Sequence, residues 1–301
     1  MARSKSLVEV EVRGGKLAVA RWAGTGDGTP LLMVHGISAS HLAWSRVVNS
    51  PALADHHIIA PDLRGRGASS ALPGPYGLLR HVDDLCALLD ALALPKVCFV
   101  GHSMGAYIGV HFATREASRL ASLVLVDGGV ALALPEGLAP ATLLEKILGP
   151  ALARLSREFE SREAYRAFWR EHPAFQDAGA WNEDVEAYFD YDLVGEPPHM
   201  KSRVREAAVR EDGLGPMQGE MITLINDIRV PTLLTTAVRG LMNQPDPLMP
   251  VAAVQARCAA NPALHWRELP DTNHYSITLG SGAVPLAAEI AAFSAQHPVT
   301  D

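Results

Sequence analysis

The feature that most constrains the fold is Gly101-His102-Ser103-Met104-Gly105, a pentapeptide that separates two segments of different character. The four residues before it are apolar and typical of a buried strand, and residues 106–113 after it favour a helix. A strand that passes directly into a helix must turn sharply, and the two glycines remove the Cβ atoms that would collide there. The turn would project the Ser103 side chain clear of both elements, beside the free N–H groups of the helix N-terminus.

Continuous apolar runs like the one before the pentapeptide indicate strands buried on both faces of a parallel sheet. They recur at residues 31–34, 57–60, 123–126 and 231–237. Residues 7–12 and 16–22 alternate apolar and polar side chains around a Gly-Gly pair, which predicts a β-hairpin, and a last strand is predicted over residues 264–269. Helical periodicity is found between the strands, as over residues 40–54, 78–93 and 283–296. We therefore predict an α/β fold, in which a mostly parallel, eight-stranded sheet is flanked by helices.

A long segment interrupts this alternation between the sixth and seventh predicted strands. It covers residues 130–229, whereas a simple crossover needs far fewer residues. The segment is helical in pattern and holds half of the chain's Phe, Tyr and Trp residues. We predict a core domain formed by residues 1–129 and 230–301, and a helical cap, residues 130–229, inserted after the sixth strand. Most of the aromatic side chains would form the core of the cap, and its underside would form an apolar substrate pocket.

Composition limits the classes of partner. The 301 residues include 26 Lys or Arg and 33 Asp or Glu, for a net charge of −7, with no basic cluster. Nucleic acid and anionic membranes are therefore poor partners. No apolar run is long enough to span a membrane and the N-terminus has no apolar signal-type stretch, so we expect a cytoplasmic protein with no membrane partner. Three scattered cysteines fit neither a disulfide framework nor a zinc site, and we expect no metal and no cofactor.

A serine hydroxyl at such a turn is a candidate nucleophile, but it needs a base within hydrogen-bond reach. Histidine suits this role because its pKa lies near neutrality. His274 follows the last predicted strand, at the sheet edge where the turn at Ser103 also lies. We predict that His274 is the base, whereas His102 and His111 pack or face solvent and His35 anchors a turn.

The histidine needs an acidic partner that fixes its tautomer. Asp246 follows the strand at residues 231–237, and Asp127 follows the strand at residues 123–126, so both are candidates. Asp246 is the preferred acid because one helix and one strand fit between it and His274. Asp127 is the alternative. It is the less favoured candidate because an aspartate before Gly128-Gly129 can instead fix a turn through its own side chain.

Two backbone N–H groups must stabilise the oxyanion that forms during acyl transfer. The residue after the nucleophile, Met104, would supply one of them. Ile37, in the loop that begins with His35-Gly36, would supply the other, with Ser38 as the fallback.

Together these motifs resemble the α/β-hydrolase fold family, and in particular its capped serine esterases and lipase-like hydrolases. The matching features are His35-Gly36 after the third strand, residues 62–69 after the fourth and the pentapeptide after the fifth. The order Ser103, Asp246, His274 is the order of the family. In this pattern Asp62 is a structural residue that holds its turn.

The resemblance implies hydrolysis of a small or medium apolar carboxylic ester through an acyl-enzyme. An aspartate nucleophile, which would imply dehalogenase or epoxide hydrolase chemistry, is replaced by Ser103. Hydrolysis of a C–C bond, lactone, thioester or amide uses the same residues and stays open, as does a perhydrolase. A non-enzymatic small-molecule receptor on the same scaffold is the alternative from another class.

Overall fold

The computed structural model describes residues 3–299. The strands are β1 (Lys5–Val12), β2 (Gly15–Trp22), β3 (Gly28–Val34), β4 (His56–Pro61), β5 (Val97–His102), β6 (Leu120–Val126), β7 (Leu193–Val194), β8 (Lys201–Ser202), β9 (Thr232–Ala237) and β10 (Leu264–Leu269). The helices are α1 (Ser45–Val48), α2 (Leu78–Ala91), α3 (Met104–Arg115), α4 (Pro140–Leu148), α5 (Pro150–Ala153), α6 (Arg162–Arg170), α7 (Glu183–Asp192), α8 (Glu206–Asp212), α9 (Met221–Asp227), α10 (Val251–Ala260), α11 (Ser276–Leu279) and α12 (Ala283–Gln296).

The main sheet has eight strands in the order β1-β2-β4-β3-β5-β6-β9-β10, and β7 pairs only with β8. Strand β2 is antiparallel to β1 and to β4, and the other neighbours in the main sheet are parallel. The mostly parallel, eight-stranded prediction is confirmed. Because parallel strands end at one edge, the loops after β3, β5, β6, β9 and β10 meet there.

The central strands are buried on both faces, which explains their continuous apolar sequences. In β5, Val97 and Phe99 pack into one layer and Cys98 and Val100 into the other. The first layer includes side chains of α2, α3, α9 and α10, and the second includes side chains of α1 and α12. The sheet therefore lies between two helical layers, and its loop-bearing edge is left to form the site.

The helix predicted over residues 40–54 is instead three short turns. Helix α1 lies between two 3₁₀ turns, His41–Trp44 and Pro51–Leu53. The hydroxyls of Ser40 and Ser50 each accept a hydrogen bond from an N–H two residues later, and each therefore starts a new turn. Successive turns bury apolar side chains at intervals similar to those of a helix, and for this reason the sequence pattern predicts a single helix.

The segment between β6 and β9 is helical, and most of it packs apart from the sheet. Eight of its aromatic side chains form one cluster. Trp169 and Phe189 belong to this cluster, and their rings stack with centroids 4.2 Å apart. Helix α9 differs, because Met221 and Ile225 belong to the layer that covers the sheet. The side chains of α9 thus pack with the sheet, and the predicted limit of the cap at residue 229 stays a prediction. Among residues 3–299, no helix is both long and apolar enough to cross a membrane.

Candidate active site

Ser103 lies at a strained turn between β5 and α3. Its φ of 54° and ψ of −119° are unusual for a residue with a side chain. The turn is held by the Ser103 N–H, which donates to the Val126 carbonyl at 2.9 Å. A Cβ at Gly101 would clash with the Gly105 carbonyl, and one at Gly105 would clash with the Val34 carbonyl. The pentapeptide therefore forms the sharp turn that its sequence predicts.

His274 is paired with Asp127. The two side chains meet with His274 Nδ1 and Asp127 Oδ2 at 2.6 Å, and the aspartate is fully buried. The other carboxylate oxygen of Asp127 accepts the N–H of Ala237, at the end of β9, at 3.1 Å. The carboxylate is therefore held by two elements and fixes the orientation of the His274 ring. His274 and Ser103 line the same cleft.

The preference for Asp246 as the partner of His274 is not supported by the geometry, which favours the alternative, Asp127. Asp246 is exposed in the loop after β9. That loop folds into a turn, in which the Gly240 N–H donates to the Gln244 carbonyl at 3.0 Å. The turn brings Asn243 to the loop that carries His274, where Asn243 Oδ1 accepts a hydrogen bond from Asn273 Nδ2 at 3.0 Å. Asp246 lies three residues further along the chain, on the solvent side of the turn. No hydrogen bond joins Asp246 to His274 in the described part of the chain.

His102 supports the loop that carries His274. It is buried, and its Nε2 donates to the His274 carbonyl at 3.0 Å. Burial lowers the pKa of His102 well below its usual value, and the charge of the neighbouring His274 acts in the same direction. The ring is therefore neutral near pH 7. Of the two predicted placements, packed or facing solvent, the structure has the packed one.

The loop at residues 35–39, which we call the oxyanion loop, runs beside Ser103. A Cβ at Gly36 would lie 3.2 Å from Ser103 Cβ and 3.6 Å from its Oγ. The Nε2 of His35 accepts the Leu63 N–H at 2.9 Å, so the His35 proton is on Nδ1, which meets the Gly36 carbonyl at 2.7 Å. Burial lowers the pKa of His35 to about 4, so the ring is neutral.

His35 thereby orients the candidate oxyanion donor. The peptide that links Gly36 to Ile37 is planar, so fixing its carbonyl toward His35 directs the Ile37 N–H to the opposite side. Met104, the other candidate donor, is the first residue of α3 and its N–H has no acceptor within the helix. Ile37, Met104 and Ser103 line one cleft. Ser38 lines the same cleft.

Asp62 has the structural role that its motif implies. Its carboxylate accepts hydrogen bonds from the His41 and Ala68 N–H groups, each at 2.8 Å, and from the Tyr191 hydroxyl at 2.7 Å. Burial alone would raise the pKa of Asp62, but the hydrogen bond and charge of His41 lower it to about 2. The carboxylate ties the turn after β4 to α7 and does not reach Ser103.

Two clefts meet at Ser103. The first also contains Gly36, His274, Tyr188, Leu241 and Tyr275. The second is lined by aliphatic side chains, among them Leu132, Leu144, Ile147, Leu148, Met217 and Leu248. The inserted segment (residues 130–229) contributes many of these aliphatic side chains, whereas its aromatic side chains mostly pack on one another.

The comparison with protein families decides the assignment. The family described as the alpha/beta hydrolase fold matches residues 29–280, which include every candidate site residue. The chain belongs to this family.

Individual members resemble this α/β hydrolase over part or all of its length. It is 39% identical over 118 residues to 2-hydroxy-6-oxo-2,4-heptadienoate hydrolase of Pseudomonas putida (strain F1), covering 38% of the present chain and 42% of the relative. It is 34% identical over 119 residues to epoxide hydrolase 3 of Siraitia grosvenorii, covering 39% and 37% of the two chains. The alignment thus spans about two fifths of these relatives. The structure of E-2-(acetamidomethylene)succinate hydrolase superposes with a TM-score of 0.76 at 22% identity, covering 95% of this chain and 98% of that one.

Several buried or partly buried charged residues of this α/β hydrolase near the site are not predicted from its sequence. They are Arg66, Asp212, Arg154 and Asp192, and they connect the inserted segment to the oxyanion loop. Their partners are distant in sequence, so no local pattern pairs them. Within residues 3–299, no group of three or more His, Cys, Asp or Glu side chains is arranged to hold a metal ion.

Proposed function

We propose that the protein is a serine hydrolase that cleaves small or medium apolar carboxylic esters through an acyl-enzyme. Ser103 is the nucleophile, His274 the general base and Asp127 the acid that orients it. The observation that carries the proposal is the 2.6 Å contact between buried Asp127 and His274, which lines the same cleft as Ser103 at its strained turn.

Each residue has a distinct role in the proposed reaction. Ser103 Oγ attacks the ester carbonyl while His274 Nε2 takes its proton, and Asp127 stabilises the resulting imidazolium. The N–H groups of Ile37 and Met104 stabilise the oxyanion of the tetrahedral intermediate. His274 then protonates the leaving alcohol. Water, deprotonated by His274, attacks the acyl-enzyme, and collapse of the second intermediate releases the acid and restores Ser103.

The character of the clefts supports a neutral, apolar substrate. Neither cleft at Ser103 has a Lys or Arg side chain in its lining within the described residues. Arg154, which lines a neighbouring pocket, is paired with Asp192 at 3.1 Å, so its charge is compensated. A buried carboxylate on the substrate would lack a free cation to offset its loss of hydration. An alkyl acyl group, in contrast, gains free energy by leaving water for the aliphatic cleft.

C–C bond hydrolysis is the second candidate, and it is favoured by the similarity to 2-hydroxy-6-oxo-2,4-heptadienoate hydrolase. It would use the same serine, histidine and aspartate. A dienoate substrate, however, carries the carboxylate for which these clefts offer no free cation. Epoxide hydrolase chemistry through an aspartate ester does not fit, because Ser103 occupies the nucleophile position.

The test is turnover of p-nitrophenyl esters from acetate to octanoate, together with covalent labelling by a fluorophosphonate. Wild-type protein should be labelled and should hydrolyse the esters, and Ser103→Ala should keep its circular dichroism spectrum but lose labelling and several orders of magnitude in kcat. Each added methylene should contribute about 0.8 kcal/mol of binding until the aliphatic cleft is filled.

Equal turnover by wild type and Ser103→Ala would contradict the assignment of the nucleophile. A flat profile from acetate to octanoate would contradict the apolar cleft as the acyl site. Cleavage of a vinylogous diketone in the absence of ester turnover would instead favour C–C hydrolysis.

A further inference from the structure

Two buried arginines hold successive carbonyl groups of the oxyanion loop. Arg66 Nε donates to the Ile37 carbonyl at 2.8 Å, and Arg154 Nη2 donates to the Ser38 carbonyl at 3.0 Å. Both side chains are almost completely buried. Arg66 comes from the turn after β4, whereas Arg154 comes from the inserted segment. The loop is therefore held from two sides by guanidinium groups.

Each arginine is paired with an aspartate of the inserted segment. Asp212, the last residue of α8, lies 2.5 Å from Arg66 Nη1, and Asp192, the last residue of α7, lies 3.1 Å from Arg154 Nε. These aspartates also bind other groups. Asp212 accepts from the Gly77 N–H at 2.5 Å, and Asp192 accepts from the Ser202 hydroxyl at 2.8 Å. Their positions thus depend on how the inserted segment packs.

The planar shape of the guanidinium group lets each aspartate orient the N–H groups of its arginine. Its N–H donors are fixed in one plane, so an aspartate that binds one edge determines where the other edge points. For Arg66, the Asp212 contact at Nη1 thereby sets the direction of Nε–H toward Ile37. A buried arginine without its aspartate would be an uncompensated charge and would move toward water. The Ile37 carbonyl would then lose its donor.

We propose that Arg66 and Arg154 are positioning residues for the oxyanion hole. Because their partners Asp212 and Asp192 belong to the inserted segment, the geometry of the oxyanion hole depends on how that segment packs against the core. The inference rests on the proposed function, because it assigns a purpose to the N–H of Ile37. Neither arginine touches the reacting atoms. Their effect is on the placement of that N–H, beside clefts that the inserted segment helps to line.

Arg64 provides a matched control. It lies in the same turn as Arg66, is equally buried and forms an ion pair with Asp84 at 2.8 Å. Its side chain binds the carbonyls of Arg13 and Pro73 instead of the oxyanion loop. Replacing Arg64 thus perturbs a comparable buried ion pair without touching the carbonyl of Ile37 or Ser38.

The experiment compares Arg66→Lys, Arg154→Lys and Arg64→Lys, using p-nitrophenyl butyrate and an alkyl trifluoromethyl ketone. The ketone adds to Ser103 and forms a hemiketal oxyanion, so its Ki reports the oxyanion hole, whereas an unreactive alkyl amide reports binding alone. Arg66→Lys and Arg154→Lys should lower kcat by about 10- to 100-fold, less than the loss of a whole donor. The ketone Ki should rise in proportion, while amide binding and KM change by less than about threefold. Arg64→Lys should keep kcat and ketone affinity while losing stability.

Asp212→Asn and Asp192→Asn test the dependence on the inserted segment. Each should lower kcat and ketone affinity in the same proportion, although neither aspartate lies at Ser103. Where Arg66→Lys does not fold, Arg154→Lys makes the same comparison at the adjacent carbonyl. The inference is overturned if the Arg66, Arg154 and Asp variants lose only stability, as Arg64→Lys does. Failure of the proposed function has a different signature, namely wild-type protein that neither turns over the ester nor binds the ketone.

Discussion

Ser103 and Asp127 share an unusual backbone conformation at the ends of adjacent strands. Their φ values are 54° and 46°, in the left-handed region that residues with side chains rarely adopt. Each is held by a hydrogen bond to the next strand, Ser103 N–H to Val126 and Asp127 N–H to Thr235. Such strain persists only where the surroundings fix it. Here the Asp127 carboxylate meets His274 Nδ1 at 2.6 Å, and Ser103 lines the same cleft as His274.

The identity of the acid leads to a direct prediction. Asp127→Asn should lose about 10⁴-fold in kcat, because an amide can no longer hold the His274 tautomer that accepts the serine proton. Asp246→Asn should stay within about threefold of wild type, since an exposed loop carboxylate contributes little. The measurement is kcat on p-nitrophenyl butyrate, with circular dichroism as the check on folding.

Asp246→Asn is the matched control, because the same substitution is made after the neighbouring strand. The reverse pattern, with Asp246→Asn inactive and Asp127→Asn active, would return the role to Asp246. Equal and small losses in both variants would contradict a catalytic acid at either position.

At the scale of elements, the turn between β5 and α3 depends on contacts that only glycine allows. Gly105 brings the start of α3 against the end of β3, where a Cβ would clash with the Val34 carbonyl and lie 2.9 Å from the His35 carbonyl. Both contacts are with backbone atoms, which cannot rotate away as a side chain does. The helix is therefore placed at the distance from the sheet that exposes Ser103.

Gly105→Ala should destabilise the protein by about 3 kcal/mol or more, because the strand and the helix must separate to fit the methyl group. Gly219→Ala is the control, since Gly219 is exposed and no atom lies within 4 Å of a Cβ built there. Urea unfolding followed by circular dichroism gives both free energies. Equal stability of the two variants would contradict the close approach at Gly105.

At the scale of the whole molecule, buried neutral histidines connect stability to pH. His172, in the inserted segment, packs against Tyr275, the residue after His274, with ring centroids 5.4 Å apart. Burial lowers the pKa of His172 to about 4, below the value of about 6.5 expected in the unfolded chain. The folded state thus binds fewer protons, so the contribution of His172 to stability is complete above about pH 6.5 and is lost as the pH falls toward 4.

His172→Asn should weaken this dependence. The asparagine keeps an acceptor for the Ala174 N–H, which His172 Nδ1 binds at 3.2 Å, but it does not titrate. Between pH 6.5 and 4 the free energy of unfolding should fall less steeply in the variant, by up to about 1.4 kcal/mol per pH unit. Urea unfolding at several pH values measures the slopes. Parallel slopes in wild type and variant would contradict a buried neutral His172.

Local patterns in the sequence determine most of the fold. Strands β5, β6 and β9 are predicted because burial on both faces requires continuous apolar residues. Ser103, Met104 and Ile37 are predicted as candidate site residues because each lies next to glycines that mark a sharp turn after a strand. These features depend only on residues that are close together in the sequence, so local sequence patterns are enough to predict them.

The tertiary structure decides the partner of His274 and the connection of the inserted segment to the site. Asp127 and Asp246 both follow strands at one sheet edge, so local pattern does not separate them. The choice depends on how the loop after β9 folds, because its turn places Asn243 inward and leaves Asp246 exposed. Likewise, Asp212 meets Arg66 only when α8 packs on the core. A buried charge is stable only with its partner nearby, and such partners are brought together by packing between distant segments.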